Sequence, residues 1–181
     1  MMRWLLWTVA GLLLGIGVHL VTIITLPRLT TQSGFQRATA VAPLGSFAVL
    51  TADKTPLPLP DPAIVTAFCR YDLGTGAIRV HVPTREAFVS ASFYTPAGLN
   101  YYALTDRSSA GRAIDLTLLT AAQLAEARAR RGPDSPNQLR VQAPQRLGII
   151  VVRALVTEPG ALADVEDSLA AAHCGTIGGN D

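Results

Sequence analysis

The chain has 181 residues, with 15 Lys+Arg against 13 Asp+Glu and a formal net charge of +2. That balance is too small to draw the protein to nucleic acid, and no basic cluster alternates with aromatic residues. Its two cysteines, Cys69 and Cys174, show neither a C-x-x-C pair nor Cys/His spacing suited to zinc, while an even count suits an oxidising compartment.

Residues 4–26, WLLWTVAGLLLGIGVHLVTIITL, form a run of 23 residues without formal charge. As a helix this run is about 34 Å long, enough to cross a hydrocarbon core of about 30 Å with some tilt. A cleaved signal peptide is the competing reading. Its apolar core is shorter and ends in a small-x-small site. Here the run ends in Leu26-Pro27-Arg28-Leu29, which favours an uncleaved signal anchor. Thr8, Gly11, Gly15, His19 and Thr22 fall within one third of the helix circumference. Gly11 and Gly15 form a G-x-x-x-G pair and His19 can hydrogen-bond across a close contact, so this face is a candidate helix-packing surface. Small residues are common in membrane helices, and Gly17 on the opposite face fits that plainer reading. Charge does not orient the span: Arg3 precedes it and Arg28 and Arg37 follow.

The 155 residues beyond Leu26 are enough for one domain with a core of its own. Residues 27–61 read as a tether, because Pro27, Pro43, Pro56, Pro58 and Pro60 lie in it, and KTPLPLPDP favours extended polyproline II. A short strand is expected at residues 46–50. From Asp61 the period changes to two. Strands are expected over residues 63–73, 77–82, 87–94 and 100–105, with turns at Gly74-Thr75-Gly76 and Pro96-Ala97-Gly98, as an antiparallel meander. Residues 113–119 are a fifth strand leading into a helix over 120–131, opened by the capping box Thr120-Ala-Ala-Gln123 and stopped at Gly132-Pro133. Residues 139–142 and 147–156 are further strands. The second is nearly continuous in apolar residues, as a central strand covered on both faces should be. A last helix is expected over 159–173, with Leu162, Val165 and Leu169 inward, and a frayed tail over 176–181. The fold class is therefore α+β: an N-terminal transmembrane helix followed by a mainly antiparallel sheet or sandwich domain, residues 62–175, with two short helices.

The segments GVHLVTIITLPRL, DPAIVTAFCRYDL, IRVHVPT, FVSASFYTPAGLNYYALTDR and RLGIIVVRALV resemble the small alphaproteobacterial branch of the family called domain of unknown function 1254. The resemblance implies a membrane-anchored, extracytoplasmic β-rich domain. It implies as partners the lipid bilayer, through residues 4–26, and a companion membrane protein similar to domain of unknown function 1214. Together with the cysteine pair it implies a bacterial inner-membrane protein with a periplasmic C-terminal domain. It supplies no catalytic residues, cofactor or metal.

The residues suggest no catalytic set either. Ser90, Ser92 and Ser108 lack a G-x-S-x-G elbow, His81 alternates with Arg79 on a strand, and no Gly-rich phosphate loop occurs. The polar residues that could share one sheet face are Arg70, Asp72, Tyr94, Asn100, Asp106 and Arg107, with Asp61 and Tyr101 beside them. They form a candidate patch for a small anion or sugar. The plainer reading makes Asp61 and Asp72 turn residues and Arg70 a solvated strand position. Two functions stay open: an accessory or subunit of an envelope assembly, or a ligand-binding or hydrolytic domain using that patch. Cys69 falls on the inward set of its strand and Cys174 just beyond the last helix, so a disulfide joining them is expected; two buried unpaired thiols are the alternative.

Overall fold

The computed structural model describes residues 1–52, 60–84, 87–108, 113–129 and 139–177. The Pro-rich run 53–59 and the Gly132-Pro133 helix stop lie outside the described residues.

Helix α1 covers Met2–Val41. Its part from Met2 to Leu26 has mean hydropathy 2.3 and none of it is buried, so by length and composition it is able to cross a membrane. The tether expected from residue 27 is not where the helix stops; α1 continues to Val41. The cause is tertiary. Phe35, Ala38, Val41 and Ala42, spaced by three and four, lie on one side of the last turns and join one cluster with Phe68, Ile149 and Val151. The chain then turns extended at Ala42, and the Arg70 N–H donates to the Pro43 carbonyl at 2.9 Å.

Among the described residues nine strands follow: β1 Ala48–Leu50, β2 Ile64–Asp72, β3 Ile78–Pro83, β4 Val89–Tyr94, β5 Asn100–Thr105, β6 Ala113–Leu119, β7 Leu139–Gln142, β8 Leu147–Leu155 and β9 His173–Thr176. Helices α2 Ala121–Ala129 and α3 Leu162–Ala170 join them. The strands form two sheets, ordered β1-β2-β8-β4-β5 and β7-β6-β3-β9, called the first and second sheet below. The first is antiparallel throughout; the second contains one parallel pair, β6 with β7. The expected meander is thus wrong. Of its four strands, β2 to β5, only β4 and β5 form a hairpin; β2 and β3 lie in different sheets, and β4 pairs with β8 instead of β3. The corner after β2 carries the chain across. Asp72 accepts from the Gly74 N–H at 2.8 Å, and Gly76 takes φ 146, a backbone open to glycine. A turn signal reports a reversal but not the sheet into which the chain reverses.

The core lies between the sheets. Val65, Ala67, Cys69 and Tyr71 of β2 face Val80, Val82, Leu116 and Leu118 of the second sheet. β8 is the central strand of the first sheet, as its apolar run predicts: Ile150 and Val152 point into this core, and Ile149 and Val151 point to the end of α1. The capping box of α2 is reciprocal, with Thr120 N–H to Gln123 Oε1 at 2.9 Å and Gln123 N–H to Thr120 Oγ1 at 3.2 Å.

The C-terminal expectation needs correction. α3 ends at Ala170, and residues 173–176, expected as helix end and tail, form β9 on the edge of the second sheet. Val80 is paired with Cys174 there. Cys69 and Cys174 lie at disulfide distance, Cα atoms 6.6 Å apart, so the pairing expected from alternation is met, though through a strand and not a helix end. It connects the two sheets through the core.

Candidate functional site

The strand register decides which of the expected patch residues meet. Arg70 is opposite Ile149, Ile149 is opposite Tyr94, and Tyr94 is opposite Asn100, so these residues form one row across the outer face of the first sheet. The side chains of Asn100, Arg153 and Ser92 act on the Tyr94 hydroxyl. Burial raises its pKa, but these partners outweigh burial and hold the phenol below its usual value. The centre of this cluster is a tyrosine hydroxyl beside an exposed guanidinium, able to hydrogen-bond a small anion.

The rest of the expected patch is elsewhere. Asp72 is engaged by Arg146, Nε to Oδ1 at 2.6 Å and Nη2 to Oδ2 at 3.1 Å. That hydrogen bond, with the Gly74 N–H, lowers its pKa from 3.8 to about 2. Arg146 lies over Gly74, where any Cβ would collide with the guanidinium. Asp106 and Arg107 sit in a 3-10 turn, Asp106–Ser108, beyond the far end of β5, about 17 Å along the strand from Asn100. Among the described residues Asp106 Oδ1 is buried without a hydrogen-bond partner, and Arg107 is exposed. Of the six residues, then, Arg70, Tyr94 and Asn100 are brought together, and Asp72, Asp106 and Arg107 are not. Arg153, which sequence reasoning missed, completes the cluster; only the β8–β4 pairing reveals it.

A second feature is a groove of about 810 Å³ between α3 and the ends of β3, β4 and β8, lined by Thr84, Val89, Leu155, Asp164, Val165 and Ser168 among others. Thr84 and Ser168 are nearly buried, and Ser168 Oγ donates to the Pro83 carbonyl at 3.4 Å. None of the six patch residues lines it. No His or Cys lines it, and its one carboxylate is that of Asp164, among the described residues. Its lining comes from separate stretches of the chain, a constellation that no local motif marks. Among the described residues no three His, Cys, Asp or Glu side chains gather as a metal-ligand set.

On α1, Gly11 and Gly15 have open space where a Cβ would stand, and Thr22 donates to the Val18 carbonyl at 2.9 Å. His19 lies exposed on the same helix.

The fold is an α+β sandwich domain behind a long apolar N-terminal helix. The chain belongs to the family described as Protein of unknown function (DUF1254), whose model matches residues 44–174. It is similar in fold to the crystal structure of the VPA0106 protein from Vibrio parahaemolyticus, with 14% identity, a TM-score of 0.59, and coverage of 81% of this chain and 35% of that one. An uncharacterised protein from Burkholderia cenocepacia also matches, at 14% identity and a TM-score of 0.49, over 87% of this chain and 42% of that one. The chain therefore spans less than half the length of either solved relative. No curated protein matches it.

Proposed function

We propose that this protein is a membrane-tethered domain on the periplasmic side of a bacterial inner membrane, acting as an accessory or subunit of a cell-envelope assembly. The observation that carries the reading is α1. Its apolar part is wholly exposed while its other end is packed onto the sandwich, so the element suited to a bilayer is built into the domain. The Cys69–Cys174 pair at disulfide distance supports an oxidising compartment. The interior between the sheets is filled by side chains, which supports a scaffold over a solute carrier. In this reading a companion protein resembles domain of unknown function 1214 and meets α1 along Gly11, Gly15, His19 and Thr22.

Affinity purification in mild detergents followed by mass spectrometry tests this reading. Co-purification of one membrane protein in stoichiometric amount is expected, with loss after Gly11→Leu/Gly15→Leu. Recovery of the protein alone in every detergent rejects it. Alkaline phosphatase fused to the C-terminus should be active; a fluorescent cytoplasmic reporter in its place should be dark.

A second reading rests on the Tyr94–Asn100–Arg153 cluster as a binding site for a small anion. Equilibrium dialysis with inorganic phosphate and acidic sugars, against Arg153→Ala, tests it.

A further inference from the structure

We propose that His81 and His173 form a surface binding site for a divalent transition metal of the zinc, nickel and copper class, with Asp115 as the positioning residue of His81. The chain has 3 histidines. One, His19, is in the apolar helix; the other two are 92 residues apart in sequence (173 − 81) and directly opposite each other in the β3–β9 pair. Both point away from the core, because their strand neighbours Val80 and Cys174 are fully buried and paired with each other. Directly opposite residues on one face of an antiparallel pair have Cβ atoms about 4.5–5.5 Å apart. Imidazoles rooted that close can each place a nitrogen about 2.0–2.1 Å from one ion.

The neighbouring strand orients one of them. Asp115 is opposite His81 on its other side, with Oδ2 3.5 Å from Nδ1. Arg79 holds the same carboxylate, Nη2 to Oδ2 at 2.8 Å and Nε to Oδ1 at 3.3 Å. Asp115 is thereby fixed and neutralised, which suits it to accept the Nδ1–H of His81 and not to ligate. His81 is left with its Nε2 lone pair for a metal, the arrangement in which a carboxylate sets the tautomer of a ligating histidine. The His173 ring rests over Gly175 and is exposed, so to meet the metal beside His81 it must rotate about its side-chain bonds. β9 cannot slide away meanwhile, since Cys174 pins it to Cys69.

Imidazole pairs suit zinc, copper and nickel, whereas calcium and magnesium require oxygen ligands. With two protein ligands the remaining positions are held by water, so the metal is exchangeable and open to a donor from another molecule.

The test uses full-length protein in detergent, purified without a polyhistidine tag and titrated separately with Zn(II), Ni(II) and Cu(II) against a chromophoric competitor. One equivalent should bind in the micromolar range. His81→Ala and His173→Ala should each weaken binding at least about tenfold, and Asp115→Asn about tenfold. His19→Ala should bind as the parent does. Electron paramagnetic resonance of the copper form should show two ring nitrogens in the parent and one in either single variant. Nitrogen NMR should show the neutral His81 ring protonated on Nδ1 in the parent and as a mixture of the Nδ1–H and Nε2–H tautomers in Asp115→Asn, a change that loss of stability alone would not produce. The site is overturned if the double variant His81→Ala/His173→Ala binds like the parent, or if the parent shows no saturable binding at millimolar metal. Asp115→Asn with unchanged affinity and tautomer overturns the positioning role.

Discussion

The two sheets differ most on their outer faces. On the first sheet Phe68, Ile149 and Val151 point outward yet are 3%, 3% and 6% exposed, because the end of α1 lies over them. On the second sheet the corresponding positions are Arg79, His81 and Asp115, with side chains 52%, 41% and 30% exposed. The strand sequences carry this difference. β8 reads LGIIVVRAL, apolar at successive positions, whereas β3 reads IRVHVP, apolar only at every second one. One sheet is therefore half of a three-layer stack and the other an ordinary sandwich face in solvent. A strand without alternation reports a third layer even where that layer is a few turns at the end of a helix.

Phe68→Ala tests this contrast most severely. It removes the aromatic filling between α1 and the first sheet, and should cost about 3–5 kcal/mol in urea unfolding followed by circular dichroism. Replacing Cys69 and Cys174 by Ser unties the two sheets and should cost about 2–4 kcal/mol in the same measurement. Gly148→Ala comes next, at about 1–3 kcal/mol. A Cβ there would collide with the Tyr71 ring and the Tyr94 carbonyl, parting the Tyr71–Tyr101 hydroxyl contact of 2.9 Å. On the solvated face Arg79→Ala should cost no more than about 1 kcal/mol, its pairing with Asp115 being exposed. If Arg79→Ala matches Phe68→Ala, the contrast between the faces fails.

The smallest effect is the Asp72–Arg146 pair, which is read through pH. The Asp72 carboxyl is held at about 2 against an ordinary 3.8. A depressed folded-state pKa stabilises above the unfolded value and loses that stabilisation as pH falls toward the folded one. The melting temperature should therefore fall between pH 4 and 2, and fall less steeply in Arg146→Ala. Equal slopes would show that the pair contributes nothing.

Much of this architecture is legible in the residues. Period two marks β2 through β6 to within a few residues, the capping box marks α2, and the inward position of Cys69 anticipates its partner. Three things are not legible, each for a physical reason. The continuation of α1 to Val41 depends on a surface, Phe68–Ile149–Val151, made by strands far along the chain. β9 is four residues, HCGT, with little strand propensity after an alanine-rich helix; pairing with β3 overrides that preference. The partition into two sheets is invisible because turn chemistry is local and strand pairing is not. The candidate sites follow the same rule. Tyr94 and Asn100 stand on a hairpin and can be linked by eye, whereas Arg153, the groove lining and the His81–His173 pair exist only through non-local register.

β2, the first long strand, pairs with β8, beginning 75 residues after β2 ends (147 − 72), and Cys69 must await a partner 105 residues later. Neither sheet can close until almost the whole domain has been made. Non-local pairing of this kind slows folding and leaves hydrophobic strand edges unpaired meanwhile. During synthesis β2 thus stands as an open edge with its apolar residues uncovered. Pulse proteolysis of stalled nascent chains should therefore find β2 open to cleavage until β8 has emerged.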